Sequence, residues 1–253
     1  MAVDETILEV VGRGDSPPVL RLYAWDPPCL SLGYAQPFMD AETARLVERG
    51  WDIVRRPTGG RAILHTDELT YAVIAPSSEP LLAGGVLQSY QRLGQALLAA
   101  FKELGLPVEM KAQEEGMTRN RNPVCFEVPS TCEIMMNGRK LVGSAQSRRR
   151  EGVLQHGSIP LKGDLRRIVQ VLHFRSENER SQAADRLTDH AVTVEEALHH
   201  TVTWDSVAHA LIGAFNRVHS LEFHENPLSP LEESRATELV EKKHAHPAWL
   251  NRV

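Results

Sequence analysis

The dipeptide Asn137-Gly138 constrains the fold of this chain more than any other pair of residues. Asn-Gly suits the two positive-φ positions of a type I′ turn, which joins neighbouring antiparallel strands. Alternating patterns flank it, so we predict strands over 133–136 and 140–145, and a further strand over 153–161. An antiparallel sheet therefore lies at the centre of the predicted fold.

The other segments read as short strands and amphipathic helices. Strand patterns cover 19–25, 29–34, 52–56, 62–64, 69–75, 108–111 and 221–224. Helical spacing of apolar residues covers 2–13, 41–49, 86–104, 164–172, 204–219 and 231–243, with a short helix after Thr193. The first two strands predict a hairpin or meander across Pro27-Pro28, whereas the polar segment 176–190 fits neither pattern.

Strand pairs interleaved with a few helices, without strict strand–helix alternation, predict an α+β fold. Its core is a mixed or antiparallel β-sheet flanked by helices. At 253 residues the chain is long enough for one sizeable core. We therefore expect a single domain over 1–253, with a small helical segment at about 229–253.

Composition and charge exclude several function classes. A net charge of −5 argues against nucleic-acid binding by bulk electrostatics. No apolar run approaches the roughly 20 residues of a membrane span, so we expect no membrane partner. Three cysteines without a CxxC pair predict reduced thiols and a cytoplasmic setting. The 11 histidines form no HExxH motif and no Cys/His cluster, so we expect no metal site.

Two stretches, 55–75 and 124–161, combine a thiol, an amine and Gly-rich turns. A thiolate attacks acyl groups well, and backbone N–H groups at glycines can bind an oxyanion, so this combination points to acyl transfer. Cys125 stands at a loop-to-strand junction. Cys29 and Cys132 lie in apolar strand patterns that are typical of buried cysteine.

By position alone, these residues also fit structural roles. Lys140 fits a solvated hairpin lysine, but a lysine that is buried across a sheet from a cysteine becomes an acid/base candidate. Gly59-Gly60 fits an ordinary turn, and no Gly-Lys-Ser/Thr follows it, so this motif does not predict ATP binding. For His65 and His156, position favours hydrogen-bonded structural histidines over catalytic bases.

Three segments together resemble the lipoate–protein ligase A / biotin–lipoate ligase superfamily, and within it the LipM-type octanoyltransferases. The segments are RRPTGGRAILHTDELTY from Arg55, CFEVPS from Cys125 and GRKLVGSAQSRRREGVLQHGSI from Gly138. The resemblance extends from Met1 to about Trp249, which is nearly the whole chain.

The resemblance implies a biotin/lipoate A/B protein ligase-like catalytic domain with defined site residues. It implies that Cys125 is the nucleophile and that Lys140 is its catalytic partner. The implied substrate-binding residues are Arg55, Arg56, Gly59, Gly60, Arg61 and His65 in the first segment, and Gly143, Ser144, Ala145, His156 and Gly157 in the last.

The resemblance also implies a reaction that needs no cofactor. An octanoyl group passes from octanoyl-acyl carrier protein to a lysine of a lipoyl-domain protein, such as the glycine cleavage H protein or an E2 subunit. The pair Cys125-Phe126, and Arg61 in place of a third glycine, favour the transferase. For docking of an acidic carrier protein, the basic candidates are Arg148-Arg149-Arg150 and the loop from Arg119 to Arg121.

Three alternatives remain open at this level. One is an ATP-dependent lipoate–protein ligase of the same fold, in which Lys140 contacts an acyl-adenylate and Cys125 is incidental. Another is an octanoyl amidotransferase that works between two lipoyl-domain proteins with the same cysteine. The third is a non-catalytic module that binds the acyl group and presents it to a partner.

Overall fold

The fold is taken from a computed structural model, which describes residues 1–112 and 132–253. Its strands are β1 (Val19–Tyr23), β2 (Cys29–Leu32), β3 (Asp52–Arg55), β4 (Ile63–His65), β5 (Glu68–Ala75), β6 (Glu109–Ala112), β7 (Cys132–Met136), β8 (Arg139–Arg148) and β9 (Val153–Pro160). Its α-helices are α1 (Ala2–Arg13), α2 (Thr43–Glu48), α3 (Val86–Glu103), α4 (Glu177–His190), α5 (Val194–Leu198), α6 (Trp204–His219), α7 (Pro230–Leu239) and α8 (Pro247–Leu250).

The larger sheet has the strand order β1-β5-β9-β8-β7-β6, and its neighbouring strands pair antiparallel. Every residue of β5 and β9 is buried, which explains the nearly continuous apolar sequence of β5. Tyr71 and Val73 of β5 pack against α3 and α6, whereas Ala72 and Ile74 pack against α1. We call the first side of this sheet the helix face and the second side the cleft face.

The smaller sheet has the order β3-β2-β4, with β2 parallel to β3 and antiparallel to β4. The predicted α+β class with a mixed or antiparallel sheet is therefore confirmed. The predicted hairpin of the first two strands is wrong, because β1 pairs with β5 while β2 belongs to the smaller sheet. Pro27-Pro28 lies between them, and proline has no N–H to donate to a ladder, so the chain leaves one sheet there and enters the other.

The predicted hairpin at Asn137-Gly138 is confirmed. Asn137 has φ 50° and Gly138 has φ 77°, both in the left-handed region that a type I′ turn requires. The turn joins β7 to β8. This hairpin carries both Lys140 and an acidic residue, Glu133, that becomes its neighbour in space.

Helices cover both faces of the larger sheet. On the helix face, α3 and α6 pack together through buried side chains such as Leu97, Phe101 and Phe215. On the cleft face, α1 buries Ile7 and Leu8 against the central strands. The smaller sheet packs on a 3₁₀ helix (Leu165–Val171) and on α4.

Two local predictions differ from the structure, and one segment without a prediction is a helix. The helix predicted over 164–172 is the 3₁₀ helix, which begins where the Asp164 carboxylate accepts from Arg166 N–H. The unassigned segment 176–190 is α4, which the Ser176 side chain caps by accepting from Glu179 N–H. The strand predicted over 221–224 is wrong. Helix α6 ends at His219 with Ser220 as its C-cap, and in the described part of the chain residues 221–224 are irregular, with Phe223 packed against the helix-face core.

The C-terminal segment is helical, with α7 followed by one π-helical turn (Val240–His244) and by α8. Helix α7 packs on α1 through Ala236 and Leu239, which contact Ala2. Among residues 1–112 and 132–253, no helix has the length and apolar character needed to cross a membrane.

Candidate active site

A β-bulge in β8 decides which way Lys140 points. Met135 of β7 pairs with Lys140 and Ile134 pairs with Val142, so Leu141 is the extra residue. Leu141 and Val142 both pack in the helix-face core, as two successive residues at a bulge can. Lys140 therefore lies on the cleft face. Without the bulge, strict alternation from Val142 would place Lys140 on the helix face.

Lys140 forms a buried ion pair with Glu133. Its Nζ lies 2.6 Å from Glu133 Oε1, and the two residues are 2% and 6% exposed. Removing one partner of such a pair destabilises the fold, because the other buried charge loses a direct counter-ion. The main chain of Lys140 is also held, because its carbonyl accepts from Val192 N–H at 3.1 Å. A fixed cation on the cleft face can stabilise a thiolate or an oxyanion there.

Small residues line the cleft face beside this pair. Ala145 lies opposite His156, and Gly143 lies opposite Ser158. His156 also lies opposite Ala72, which packs toward α1, so these residues share the cleft face. Gly143 and Ala145 keep this strip of the sheet free of bulky side chains.

His156 is buried on the cleft face and is held by a hydrogen bond. Its Nε2 lies 2.7 Å from Thr58 Oγ1. Burial lowers the pKa of His156 to about 3, although the nearby Asp4 carboxylate opposes this shift. The imidazole is therefore neutral near neutral pH and is not a proton donor to a substrate there.

His65 belongs to a buried network that joins the two sheets. Its Nδ1 lies 2.7 Å from Glu68 Oε1, and its Nε2 lies 2.7 Å from Ser31 Oγ. The Glu68 carboxylate also accepts from Ser158 and Thr70. Both histidines are thus buried and hydrogen-bonded, as their positions predict.

Arg56 holds the glycine turn from within. It donates to the carbonyls of Gly59 at 3.1 Å and of Arg61 at 2.6 Å. Gly60 has φ +96°, which L-residues with a side chain rarely adopt, so the turn requires glycine there. The glycines themselves are exposed. The buried Arg56 side chain thus fixes the backbone of this turn through its carbonyl groups.

Arg55 also binds main-chain carbonyl groups. Its guanidinium donates to Gly33 O at 2.7 Å, to Gln36 O at 2.6 Å and to Leu250 O at 2.7 Å. The side chain is fully buried. Arg55 therefore joins the turn that follows β2 to the C-terminal segment.

Ser144 and Gly157 act on the helix face of the sheet. Tyr71 Oη lies 2.7 Å from Ser144 Oγ and accepts from Gln155 Nε2 at 3.2 Å. A Cβ atom on Gly157 would lie 2.5 Å from the Tyr71 ring, so glycine lets Tyr71 cross β9 and reach β8. The Ser144 side chain thus lies on the opposite side of the sheet from Lys140, and Gly157 serves the packing of Tyr71.

The predicted nucleophile, Cys125, lies outside the described residues, within 113–131. The described chain resumes at β7, which begins with Cys132. Cys29 is buried, and burial raises its pKa to about 12, so it is not a thiolate near neutral pH. Its predicted burial is confirmed.

Sequence reasoning missed Glu133 and Tyr71. Glu133 is a lone acid in the apolar strand sequence CEIMM, and a charge in such a strand needs a partner, so this signal was available. Tyr71 shows no comparable signal, because its partner Ser144 is 73 positions away in the chain.

The arginines assigned to carrier docking are engaged within the protein. Arg148 donates to Leu82 O and to Ser89 Oγ, each at 2.9 Å, and so anchors the segment before α3. Arg149 donates to Glu5 Oε1 at 2.9 Å. Arg148 is exposed and Arg149 is half-buried, so both side chains make these internal contacts while they remain partly solvated.

Their position is also distant from the ion pair. Arg148 follows Lys140 by eight positions along one strand, and a strand rises about 3.4 Å per residue, so roughly 27 Å separates them. Arg150 is exposed. The second docking candidate, the loop from Arg119 to Arg121, lies outside the described residues.

Comparison with known proteins places this geometry in context. Residues 1–216 match the family described as lipoyl protein ligase A/B catalytic domain. The chain is 43% identical over 256 residues to octanoyltransferase LipM of Moorella thermoacetica, covering 100% of this chain and 93% of that protein. It is 38% identical over 247 residues to octanoyltransferase LipM of Kyrpidia tusciae, covering 96% and 90%.

A solved structure shares the fold. It comes from the archaeal lipoylation system of Thermoplasma acidophilum, described as a bi-partite lipoate protein ligase and its E2 lipoyl domain. The TM-score is 0.81 at 23% sequence identity, covering 100% of this chain and 91% of that one. The predicted ligase-like catalytic fold is confirmed.

Proposed function

The chain belongs to the lipoyl protein ligase A/B catalytic domain family and is an octanoyltransferase of lipoate biosynthesis, and from this premise we propose its donor, its acceptor and its nucleophile. The donor is octanoyl-acyl carrier protein. The acceptor is a lysine of a lipoyl-domain protein, such as the glycine cleavage H protein or an E2 subunit. Cys125 carries the octanoyl group between them as a thioester.

The buried Lys140–Glu133 pair on the cleft face carries this proposal. Glu133 directly follows Cys132, the first residue of β7, so the chain enters the sheet beside the ammonium group. Cys125 precedes Cys132 by seven positions, and an extended chain of seven residues spans at most about 25 Å. The length of chain between Cys125 and Cys132 therefore allows the Cys125 thiol to reach Lys140.

In the first half-reaction, the Cys125 thiolate attacks the carbonyl carbon of the donor thioester. The bond to the carrier sulfur breaks, and the carrier leaves as a thiol with the proton that Cys125 gave up. The Lys140 ammonium, which Glu133 holds in place, favours the thiolate and the developing oxyanion. The first step converts one thioester into another, and the second converts a thioester into a more stable amide. Neither step therefore requires ATP.

In the second half-reaction, the neutral amine of the acceptor lysine attacks the acyl-enzyme. An amide bond forms, the bond to Cys125 breaks, and the extra proton on nitrogen passes to the leaving sulfur directly or through Lys140. The enzyme returns to its starting state, so ping-pong kinetics are expected.

The cleft face offers a path for the acyl chain. Gly143 and Ala145 place no large side chain on this face of the sheet. The turn at Gly59 and Gly60 follows Thr58, which binds His156. Burial of an alkyl chain stabilises binding by about 0.8 kcal/mol per CH₂ group, so an eight-carbon chain contributes several kcal/mol.

Intact-protein mass spectrometry after incubation with octanoyl-acyl carrier protein tests the proposal. We expect an octanoyl adduct on the wild-type enzyme and on Cys29→Ser, and none on Cys125→Ser, because serine is nearly isosteric but far less nucleophilic. An adduct that survives in Cys125→Ser and disappears in Cys132→Ser would assign the nucleophile to Cys132.

The same assay separates the alternatives. A requirement for ATP and free lipoate indicates a ligase, and octanoyl-lipoyl-domain protein as the better donor indicates an amidotransferase. The relatives named octanoyltransferase, at 43% and 38% identity, favour the transferase over the ligase.

A further inference from the structure

The last residues of the chain form a strap that joins helix α1 to the end of β3. We define the C-terminal strap as residues 240–253, which comprise the π-helical turn, α8 and the residues after it. On one side it contacts α1, and on the other it contacts the arginine motif at the end of β3. These two contacts lie on elements that are far apart in sequence.

Arg55 and the strap bind each other reciprocally. The guanidinium donates to Leu250 O through Nε at 2.9 Å and through Nη2 at 2.7 Å. Trp249 Nε1 donates back to Arg55 O at 3.0 Å. The Trp249 ring also lies under the ammonium of Lys243 at 4.3 Å and under the guanidinium of Arg252 at 5.1 Å.

Through Arg55, the strap holds the turn after β2. The same guanidinium binds Gly33 O and Gln36 O, and the strap adds a direct bond from Phe38 N–H to Val253 O at 2.9 Å. A buried cation needs each of its acceptors, since an unpaired charged donor loses its solvation without compensation. Loss of the strap therefore opens Arg55 to water and releases the carbonyls of this turn.

The turn after β2 in turn abuts the glycine turn. A Cβ atom at Gly33 would collide with the carbonyl oxygen of Gly60, so the two backbones are in direct contact. Tyr34 N–H donates to Thr58 O at 2.9 Å, and Thr58 binds His156 on the cleft face. The contacts thus run without a break from the strap to the cleft.

The other end of the strap is fixed on α1. Glu5 accepts from Lys243 Nζ at 2.7 Å, and its Oε2 lies 3.0 Å from His244 Nε2. These partners hold the pKa of Glu5 well below its ordinary value against the effect of its burial. Helix α1 itself covers the cleft face of the central strands.

We infer that the C-terminal strap is a positioning element that fixes the glycine turn at 58–60 beside the cleft face and, through that turn, sets the selectivity for acyl chain length. This inference rests on the proposed function. Trp249 is a positioning residue, since it acts through Arg55, the turn at 33–36 and the turn at 58–60. It has no contact with the reacting atoms in this scheme.

The test compares Trp249→Phe, Trp249→Ala and the control Trp51→Phe with the wild-type enzyme. Trp249→Phe removes only the hydrogen bond to Arg55 O and keeps an aromatic ring for the two cations. It therefore tests the role of Trp249 even where Trp249→Ala does not fold. Trp51 is also partly buried but packs in the core of the smaller sheet. Each enzyme is acylated with eight-carbon and ten-carbon thioesters of a small thiol, and amide hydrogen exchange is measured.

For the Trp249 variants we expect exchange at 33–36 and 58–60 to be roughly fivefold to tenfold faster, which corresponds to the loss of about one hydrogen bond. We expect the ratio of kcat/KM for the eight-carbon donor to kcat/KM for the ten-carbon donor to fall in the Trp249 variants. The Trp51 control should keep the wild-type ratio. Exchange that changes only within 240–253, or an equal fall in kcat/KM with both donors, overturns the inference. If the wild-type enzyme takes no octanoyl group, the proposed function is wrong, and the exchange data alone decide the role of the strap.

Discussion

Nζ of Lys140 lies 2.6 Å from Oε1 of Glu133, and both side chains are buried on the cleft face of the larger sheet. The two residues are seven positions apart in the chain and are brought together by the hairpin at Asn137-Gly138. Each charge is desolvated, so each depends on the other.

Glu133→Gln should therefore lower both stability and activity. Breaking a buried ion pair on one side costs about 3–5 kcal/mol, and the same range is expected for Lys140→Met. The double variant should lose less than the sum of the two single losses, because no buried charge is left uncompensated. Denaturant unfolding of the four proteins measures this coupling, and strictly additive losses would show that the two side chains do not act as a pair.

Lys140→Arg separates two roles of the lysine. Arginine keeps the positive charge but does not release a proton in proteins, so it can still favour the Cys125 thiolate. We expect acyl-enzyme to form while transfer to the acceptor lysine slows. Single-turnover measurements of each half-reaction test this, and normal turnover by Lys140→Arg would exclude the lysine as a proton carrier.

His156 should make stability depend on pH. Burial lowers its pKa from 6.5 to about 3, so below pH 6.5 the unfolded chain binds a proton that the folded protein does not. Stability from this group is complete above pH 6.5 and falls as the pH decreases toward 3. Between pH 6.5 and pH 5 the expected loss is about 2 kcal/mol. The pKa values of Asp4 and Glu5 are also lowered, but these carboxyl groups change the stability at pH values below this range.

His156→Gln should reduce that slope, whatever its effect on the absolute stability. A smaller slope should remain, because burial also lowers the pKa of His219. The exposed His209 provides a matched control, and His209→Gln should keep the slope. Denaturant unfolding at several pH values between 5 and 7 is the measurement. An unchanged slope in His156→Gln would mean that other groups carry the pH dependence.

The arginine run after β8 should contribute more to stability than to docking. Arg148→Glu loses the bonds to Leu82 O and Ser89, and Arg149→Glu places a second carboxylate against Glu5. We expect each to lower stability by about 1 kcal/mol, because both side chains are partly solvated. The exposed Arg150 is the matched control, and Arg150→Glu should stay within about 0.5 kcal/mol of the wild type.

Kinetics at two ionic strengths then address docking. If Arg150→Glu raises KM for octanoyl-acyl carrier protein at low salt but leaves a small octanoyl thioester unaffected, the turn contacts the carrier. We expect no such rise, because this turn lies at the far end of β8 from Lys140.

Local patterns in the sequence determined the elements that depend on neighbouring residues. The turn at Asn137-Gly138, the helix periodicity of α3 and α6, and the glycine turn at Gly59-Gly60 all follow from backbone preference and apolar spacing within a few residues. The motifs around Arg55, Cys125 and Lys140 were sufficient to indicate the family, because their residue types and spacing are unusual in combination.

Contacts between distant positions were decided only by the tertiary structure. The bulge at Leu141 turns Lys140 to the cleft, and Ser144 faces the opposite side to reach Tyr71, although both belong to one short motif. Arg55 finds its partner Leu250 at a separation of 195 positions. No pattern of neighbouring residues encodes such contacts, since they arise from sheet register and from the burial of polar groups that must find an acceptor wherever the fold provides one.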